Sequence, residues 1–201
     1  MRIGILGTGA VGRSLGNLLA AGGHSILFGA RMPKAADEAS LKEAVEQADL
    51  VLLAIPFDQV VGALSPLRDS LTGKIMIDAT NPLGADWSPL LLGEEDSAAE
   101  TIQRTFPEAR VVKAFNTVFA DVMTPERLQR AGAAVTAFIA SDDRNAASTV
   151  EQIAVDAGFD PLHAGPLSSA RWLEAIAHLN IRLAVQLGGG TGGAFLYSRA
   201  A

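Results

Sequence analysis

Three glycines, Gly7, Gly9 and Gly12, follow the apolar run 2–6 and open a helical stretch, and their spacing points to one kind of chemistry. A strand that feeds a Gly-x-Gly-x-x-Gly turn and then a helix seats the pyrophosphate of a dinucleotide against backbone N–H groups at the helix start. Gly7 is the residue for the tight turn, Gly9 for close approach of the phosphate, and Gly12 for close packing of helix on strand. Thr8, Ala10 and Val11 fill the intervening positions. A second strand, expected at 24–28, arrives at the distance such a unit requires.

The end of that second strand separates NAD from NADP. An acid about 20 residues beyond the glycines would grip the ribose 2′-OH of NAD, yet Gly29-Ala30-Arg31 contains none. Arg31 can pair with a 2′-phosphate instead, with Lys34 close enough in sequence to join it. A solvated loop arginine is the plainer account of Arg31. A missing acid and a present base at one functional position favour NADP.

Side chains for acid–base or metal chemistry do not assemble. The one tyrosine, Tyr197, is followed by Ser-Arg-Ala-Ala and so lacks the lysine four residues on that short-chain reductases use. There is no cysteine, and the three histidines lie far apart, so no metal is expected. His24 reads as structural, His163 and His178 as better placed for function though more often packed or solvated in such positions, and Asp78 as a residue that bonds nearby backbone. Hydride exchange between two flat rings stacked at about 3 to 3.5 Å needs no protein acid. It needs backbone, small side chains and apolar walls.

The elements that would position these residues alternate between strand and helix, giving an α/β fold of Rossmann type, doubly wound and mostly parallel. Strands are expected at 2–6, 24–28, 50–55, 74–78 and 110–114, with further candidates at 134–140 and 159–164. Helices are expected at 10–21, 40–47, 57–67, 98–106 and 143–157, with Ser40, Ser97 and Ser141 or Asp142 as N-caps. Residues 81–96 read as an irregular excursion. A last helix at 169–187 sets Trp172, Ile176, Leu179, Leu183 and Leu187 on one stripe, read first as core and second as a subunit contact.

The chain of 201 residues suits a single dinucleotide-binding domain, 1–201, with a C-terminal extension from about 166. A net charge of −6 turns away nucleic acid and anionic membrane. The N-terminal apolar run is broken by Arg13 and by the glycines, so it reads as neither signal peptide nor membrane span. A cytoplasmic protein is expected.

Beside GTGAVG (7–12), the strand ends AIP (54–56), ATNP (79–82) and VVKAFNTV (111–118), followed by GPLSSAR (165–171), form an ordered set. The set resembles the F420-dependent NADP reductase family and the cytoplasmic reductase domain of the STEAP metalloreductases. The resemblance implies hydride exchange between NADP and the deazaflavin F420, or a flavin such as FMN or FAD. It implies that Thr8, Gly9, Ala10 and Val11 line the pyrophosphate and Arg31 and Lys34 the 2′-phosphate. Ala54, Ile55 and Pro56 would stand on the nicotinamide side, and Asn81, Ala114, Asn116 and Thr117 near the ring and its acceptor. The glycine-rich tail 188–196 would help enclose the acceptor. Ala30 stands where F420 reductases tend to have serine, and Asn116 where many have histidine; the second change resembles the STEAP type. As structural roles, Asn116 would be a turn residue and Ser168 or Ser169 a helix cap.

The expected protein is a homodimeric NADPH-dependent oxidoreductase with a small redox cofactor as partner. One alternative is an NADP(H)-binding sensor without turnover. Another is an imine or ketone reductase of the β-hydroxyacid dehydrogenase kind, which would need a sizeable helical domain after the nucleotide-binding unit.

Overall fold

The computed structural model describes residues 1–90, 92–93, 95–130 and 132–198. Its first half runs β1 (Arg2–Leu6), α1 (Ala10–Ala21), β2 (Ser25–Ala30), β3 (Glu38–Ser40), α2 (Leu41–Gln47), β4 (Leu50–Leu53), α3 (Phe57–Leu64), α4 (Arg68–Leu71) and β5 (Ile75–Asp78). The second half runs α5 (Ala98–Thr105), β6 (Arg110–Lys113), α6 (Pro125–Leu128), β7 (Gln129–Arg130), β8 (Ala133–Ala134), β9 (Thr136–Ala140), α7 (Arg144–Asp156), β10 (Asp160–Gly165) and α8 (Ala170–Ile181). Eight strands form one sheet in the order β10-β9-β6-β5-β4-β1-β2-β3, with β7 and β8 paired apart. Within the eight-stranded sheet all neighbours are parallel except β6 and β9, which meet in antiparallel sense through Lys113 and Ala140. The doubly wound, mostly parallel architecture expected of the sequence is the one found.

Helices cover both faces, so the central strands are apolar on both sides. Leu50 and Leu52 join one core with Ile3, Ile5 and the α1 residues Leu15 and Leu19. Val51 and Leu53 join the other with Leu6, Val45 of α2, Val60 of α3 and Ile102 of α5. This alternation is why the central strands read as unbroken hydrophobic runs.

Several boundaries differ from expectation for identifiable reasons. β2 begins at Ser25 because the His24 N–H still bonds Leu19 O at the end of α1. β4 stops at Leu53, just ahead of Pro56, which has no N–H for a ladder. The helix expected at 57–67 narrows to a 3₁₀ turn at Ser65–Leu67 around Pro66. Residues 134–140 divide between β8 and β9. The three-residue edge strand β3 was not legible, having no apolar run. Ser40 caps α2 in a full capping box with Glu43, and Ser97 caps α5. At α7 the cap is Asp143, which accepts from Asn145 N and Ala146 N, rather than Ser141 or Asp142. Neither Ser168 nor Ser169 supplies a side-chain cap to α8.

The largest difference concerns α8. The expected helix at 169–187 is a 3₁₀ turn at Leu167–Ser169, then α8, then a π-helical turn at Arg182–Gln186. Its stripe is not core: Trp172 is 70% exposed, Leu179 49%, Leu183 44% and Leu187 67%. The buried face lies one step round, on Ala170, Leu173, Ala177, Ile181 and Ala184 with Glu174 and Asn180. Alanines let α8 sit close, and the two polar residues are satisfied by backbone partners. Periodicity reveals that an apolar face exists but cannot say which of two adjacent faces meets the sheet.

Candidate functional site

The carboxyl ends of four strands stand level. Leu6 pairs with Leu53, Leu53 with Asp78, and Asp78 with Lys113, so residues 7, 54, 79 and 114 leave the sheet along one edge. The strand order reverses at β1, and a crevice opens outside the strand ends at such a switch point. Here it is a cleft of about 680 Å³.

The glycine turn forms one rim. Gly7 has φ +123°, and a side-chain carbon there would lie 2.3 Å from Ala54 O. A side-chain carbon at Gly12 would lie 2.2 Å from Gly7 O, so helix and turn can touch only without one. At Gly9 it would meet nothing within 4 Å: this position faces open space. Gly9 also precedes α1 without a side-chain cap, leaving first-turn N–H groups directed at that space. The arrangement fits a dinucleotide pyrophosphate.

Ala10 and Val11 line the cleft beside Ala54, Ile55 and Pro56, and Asn81, Asn116 and Thr117 line its floor. Thr8 is exposed on the turn. Ala114 does not reach the cleft; it is wholly buried in the core beneath it, because β6 ends one residue earlier and its side chain points inward. Sequence reasoning missed Phe57, Asp58 and Gln59 at the start of α3, Thr80, Phe115, Val118 through Asp121, and Asn180 and Ile181 of α8. Most of their types carry no chemical signal, and the acids Asp58 and Asp121 stand in no recognisable pattern. The nearest clue was their place directly after the AIP, ATNP and KAFNT strand ends. From the glycine-rich tail, Thr191 reaches the cleft and its hydroxyl donates to Asp121 Oδ2.

Asn116 is a strut as well as a wall. Its Nδ2 donates to Asn81 Oδ1 at 2.9 Å and to Leu173 O at 3.1 Å, while Asn81 Nδ2 donates to Asn116 O at 2.8 Å. Two loops are thereby clasped to each other and to α8. Phe115 next to it adopts φ +64°, a left-handed conformation costly for a side chain of this size, and packs against Phe159 with ring centroids 5.3 Å apart.

Beneath the floor lies a buried ion cluster. Lys113 Nζ is 2.9 Å from Asp78 Oδ2 and 2.8 Å from Glu174 Oε1, and it donates to Thr80 O at 2.7 Å. Asp78 accepts from Thr80 N as well, the backbone bond expected of it. Glu174 in turn accepts from Ala98 N at 3.0 Å, at the start of α5. Burial alone would lower the Lys113 pKa, but the two carboxylates override it and raise the pKa above the ordinary lysine value. The histidines lie elsewhere. His178 sits in an adjoining recess with Nε2 3.2 Å from Pro82 O, its pKa lowered chiefly by burial. His163 is 3.4 Å from Glu151.

Arg31 and Lys34 stand apart from the cleft lining, exposed in the loop between β2 and β3. Among the described residues the Arg31 guanidinium pairs with no carboxylate. The loop's own acids are engaged by Arg13 of α1, whose Nη1 is 2.7 Å from Asp37 Oδ2 and whose Nη2 donates to Glu38 Oε1. Arg13 also lies over the Phe28 ring at 4.1 Å. The second Glu38 oxygen accepts from Lys34 N at 2.8 Å.

The model of the family described as NADP oxidoreductase, coenzyme F420-dependent, matches residues 2–82. A crystal structure of a proposed F420-dependent NADP reductase from Arthrobacter sp. FB24 superposes with a TM-score of 0.88 at 31% identity, covering 99% of this chain and 100% of that one. F420-dependent NADP reductase from Methanothermobacter marburgensis is 29% identical over 92% of this chain and 93% of its own length. Metalloreductase STEAP3 from Rattus norvegicus is 35% identical over 87% of this chain, which spans only 36% of that protein.

Proposed function

The chain belongs to the family of coenzyme F420-dependent NADP oxidoreductases, and from that premise we propose that it exchanges hydride between NADP(H) and a flat ring acceptor. The acceptor is F420 or a flavin such as FMN or FAD, stacked directly on the nicotinamide. One observation carries this reading: a 680 Å³ cleft walled mostly by small and apolar side chains opens beside an uncapped glycine turn at the level strand ends. When bound, the dihydronicotinamide supplies the hydride.

The work of the chain is to bind and orient. N–H groups from Thr8 through Val11 receive the pyrophosphate where Gly7 makes the turn and Gly12 lets the helix pack, and Arg31 with Lys34 takes the 2′-phosphate. Ala54, Ile55 and Pro56 back the nicotinamide, while the clasped Asn81, Asn116 and Thr117 fix the floor on which two rings stack. Apolar walls exclude water from the reacting faces. Residues 1–201 act as one nucleotide-binding domain with an extension from about 166, in a cytoplasmic homodimer. The exposed apolar stripe of α8 supports the dimer. Among the described residues no helix is long and apolar enough to cross a membrane.

The test is NADPH consumption under anaerobic conditions with F420, FMN or FAD as acceptor. Oxidation of NADPH that requires the acceptor is the expected result. Tight NADPH binding with no acceptor reduced across the panel would instead leave a protein that senses the nucleotide without turnover.

A further inference from the structure

The loop that carries Arg31 and Lys34 also carries two carboxylates, Asp37 and Glu38. Left free, they would work against a phosphate there and could accept from a ribose 2′-OH in its place, the role an acid plays in NAD sites. Arg13 prevents both. Its fork holds one oxygen of each acid, turning them toward α1, and Lys34 N takes the remaining Glu38 oxygen. The Glu38 side chain is thereby only 10% exposed. Stacking on Phe28 fixes the guanidinium, since Phe28 lies in β2 three residues before Arg31 and pairs with Glu38 across the β2–β3 ladder. Three cations then face two carboxylates, and the two cations left over for a ligand are Arg31 and Lys34.

We propose that Arg13 is a positioning residue that sets preference for the 2′-phosphorylated dinucleotide by holding Asp37 and Glu38 away from the ribose subsite. This rests on the NADP reading above. Arg13 itself makes no contact with the ligand. It acts through the acids it restrains, so removing it exposes two negative charges beside the 2′-phosphate, whereas removing the acids together with it exposes none.

The experiment is calorimetric titration of the intact chain with 2′-phospho-ADP-ribose and with ADP-ribose, probes that lack the nicotinamide. Wild type is expected to prefer the phosphorylated probe. Arg13→Gln is expected to cut that preference about tenfold, an effect that shrinks at high salt because freed surface charges are screened. The triple variant Arg13→Gln, Asp37→Asn, Glu38→Gln is expected to regain the preference, and it remains informative if the single variant fails to fold. A preference unchanged in Arg13→Gln, or a loss that persists in the triple variant, overturns the inference and leaves the NADP reading standing. Equal binding of both probes by wild type overturns both together.

Discussion

Arg31 reaches into solvent at the end of β2 with no carboxylate to satisfy it among the described residues, while Arg13 nearby is fully engaged. A charge-assisted bond to a phosphate is worth about 1.5 to 3 kcal/mol, so Arg31→Ala is expected to weaken NADPH binding about 10- to 100-fold. NADH, lacking the phosphate, should shift by less than about twofold; equal losses for both in fluorescence titrations would remove Arg31 from that role. The residues legible in the sequence were those whose type is forced by backbone geometry. Gly7 and Gly12 stand where any side chain would collide; Gly9, with open space around it, was legible from its place in the motif alone. Ala114 and Asn116 were not separable from the motif. One turned out to be core and the other a clasp, because a motif marks a segment without saying which of its side chains turn inward.

At the scale of elements, the cluster of Lys113, Asp78 and Glu174 joins β5, β6, α8 and the start of α5. Removing one member of a buried ion group leaves the others uncompensated, which costs about 3 to 5 kcal/mol. Lys113→Met should therefore lower the thermal midpoint markedly. Because the folded Lys113 pKa is raised, its contribution is complete below the ordinary lysine value and is lost as pH climbs through the higher folded one. The stability gap between wild type and Lys113→Met should stay constant near neutrality and narrow in strong alkali, as melting curves against pH would reveal. Nothing in the sequence announced this cluster. Asp78 and Glu174 lie 96 positions apart, and Lys113 stood within the VVKAFNTV motif with nothing to mark its partners. The central strands were legible because burial on both faces writes an unbroken apolar run. The edge strand β3, with one side unpaired, writes none.

For the whole molecule, the displaced stripe of α8 has become the question of assembly. Trp172, Leu179, Leu183 and Leu187 leave one apolar face uncovered, and in a homodimer this face would meet its symmetry mate. Light scattering coupled to size exclusion is expected to give twice the chain mass for wild type. Leu183→Glu with Leu187→Glu should give a monomer, and a wild-type monomer would refute the dimer. The strand order has a different reach. Taken in chain order, β2 and then β3 extend one side of β1, while β4, β5, β6, β9 and β10 extend the other, so every new strand docks on an edge already present. No strand must wedge between two that have already paired. As a nascent chain emerges, the sheet can grow outward from its own beginning, and α8, which brings Leu173 to Asn116 and Glu174 to Lys113, is made only after the last strand.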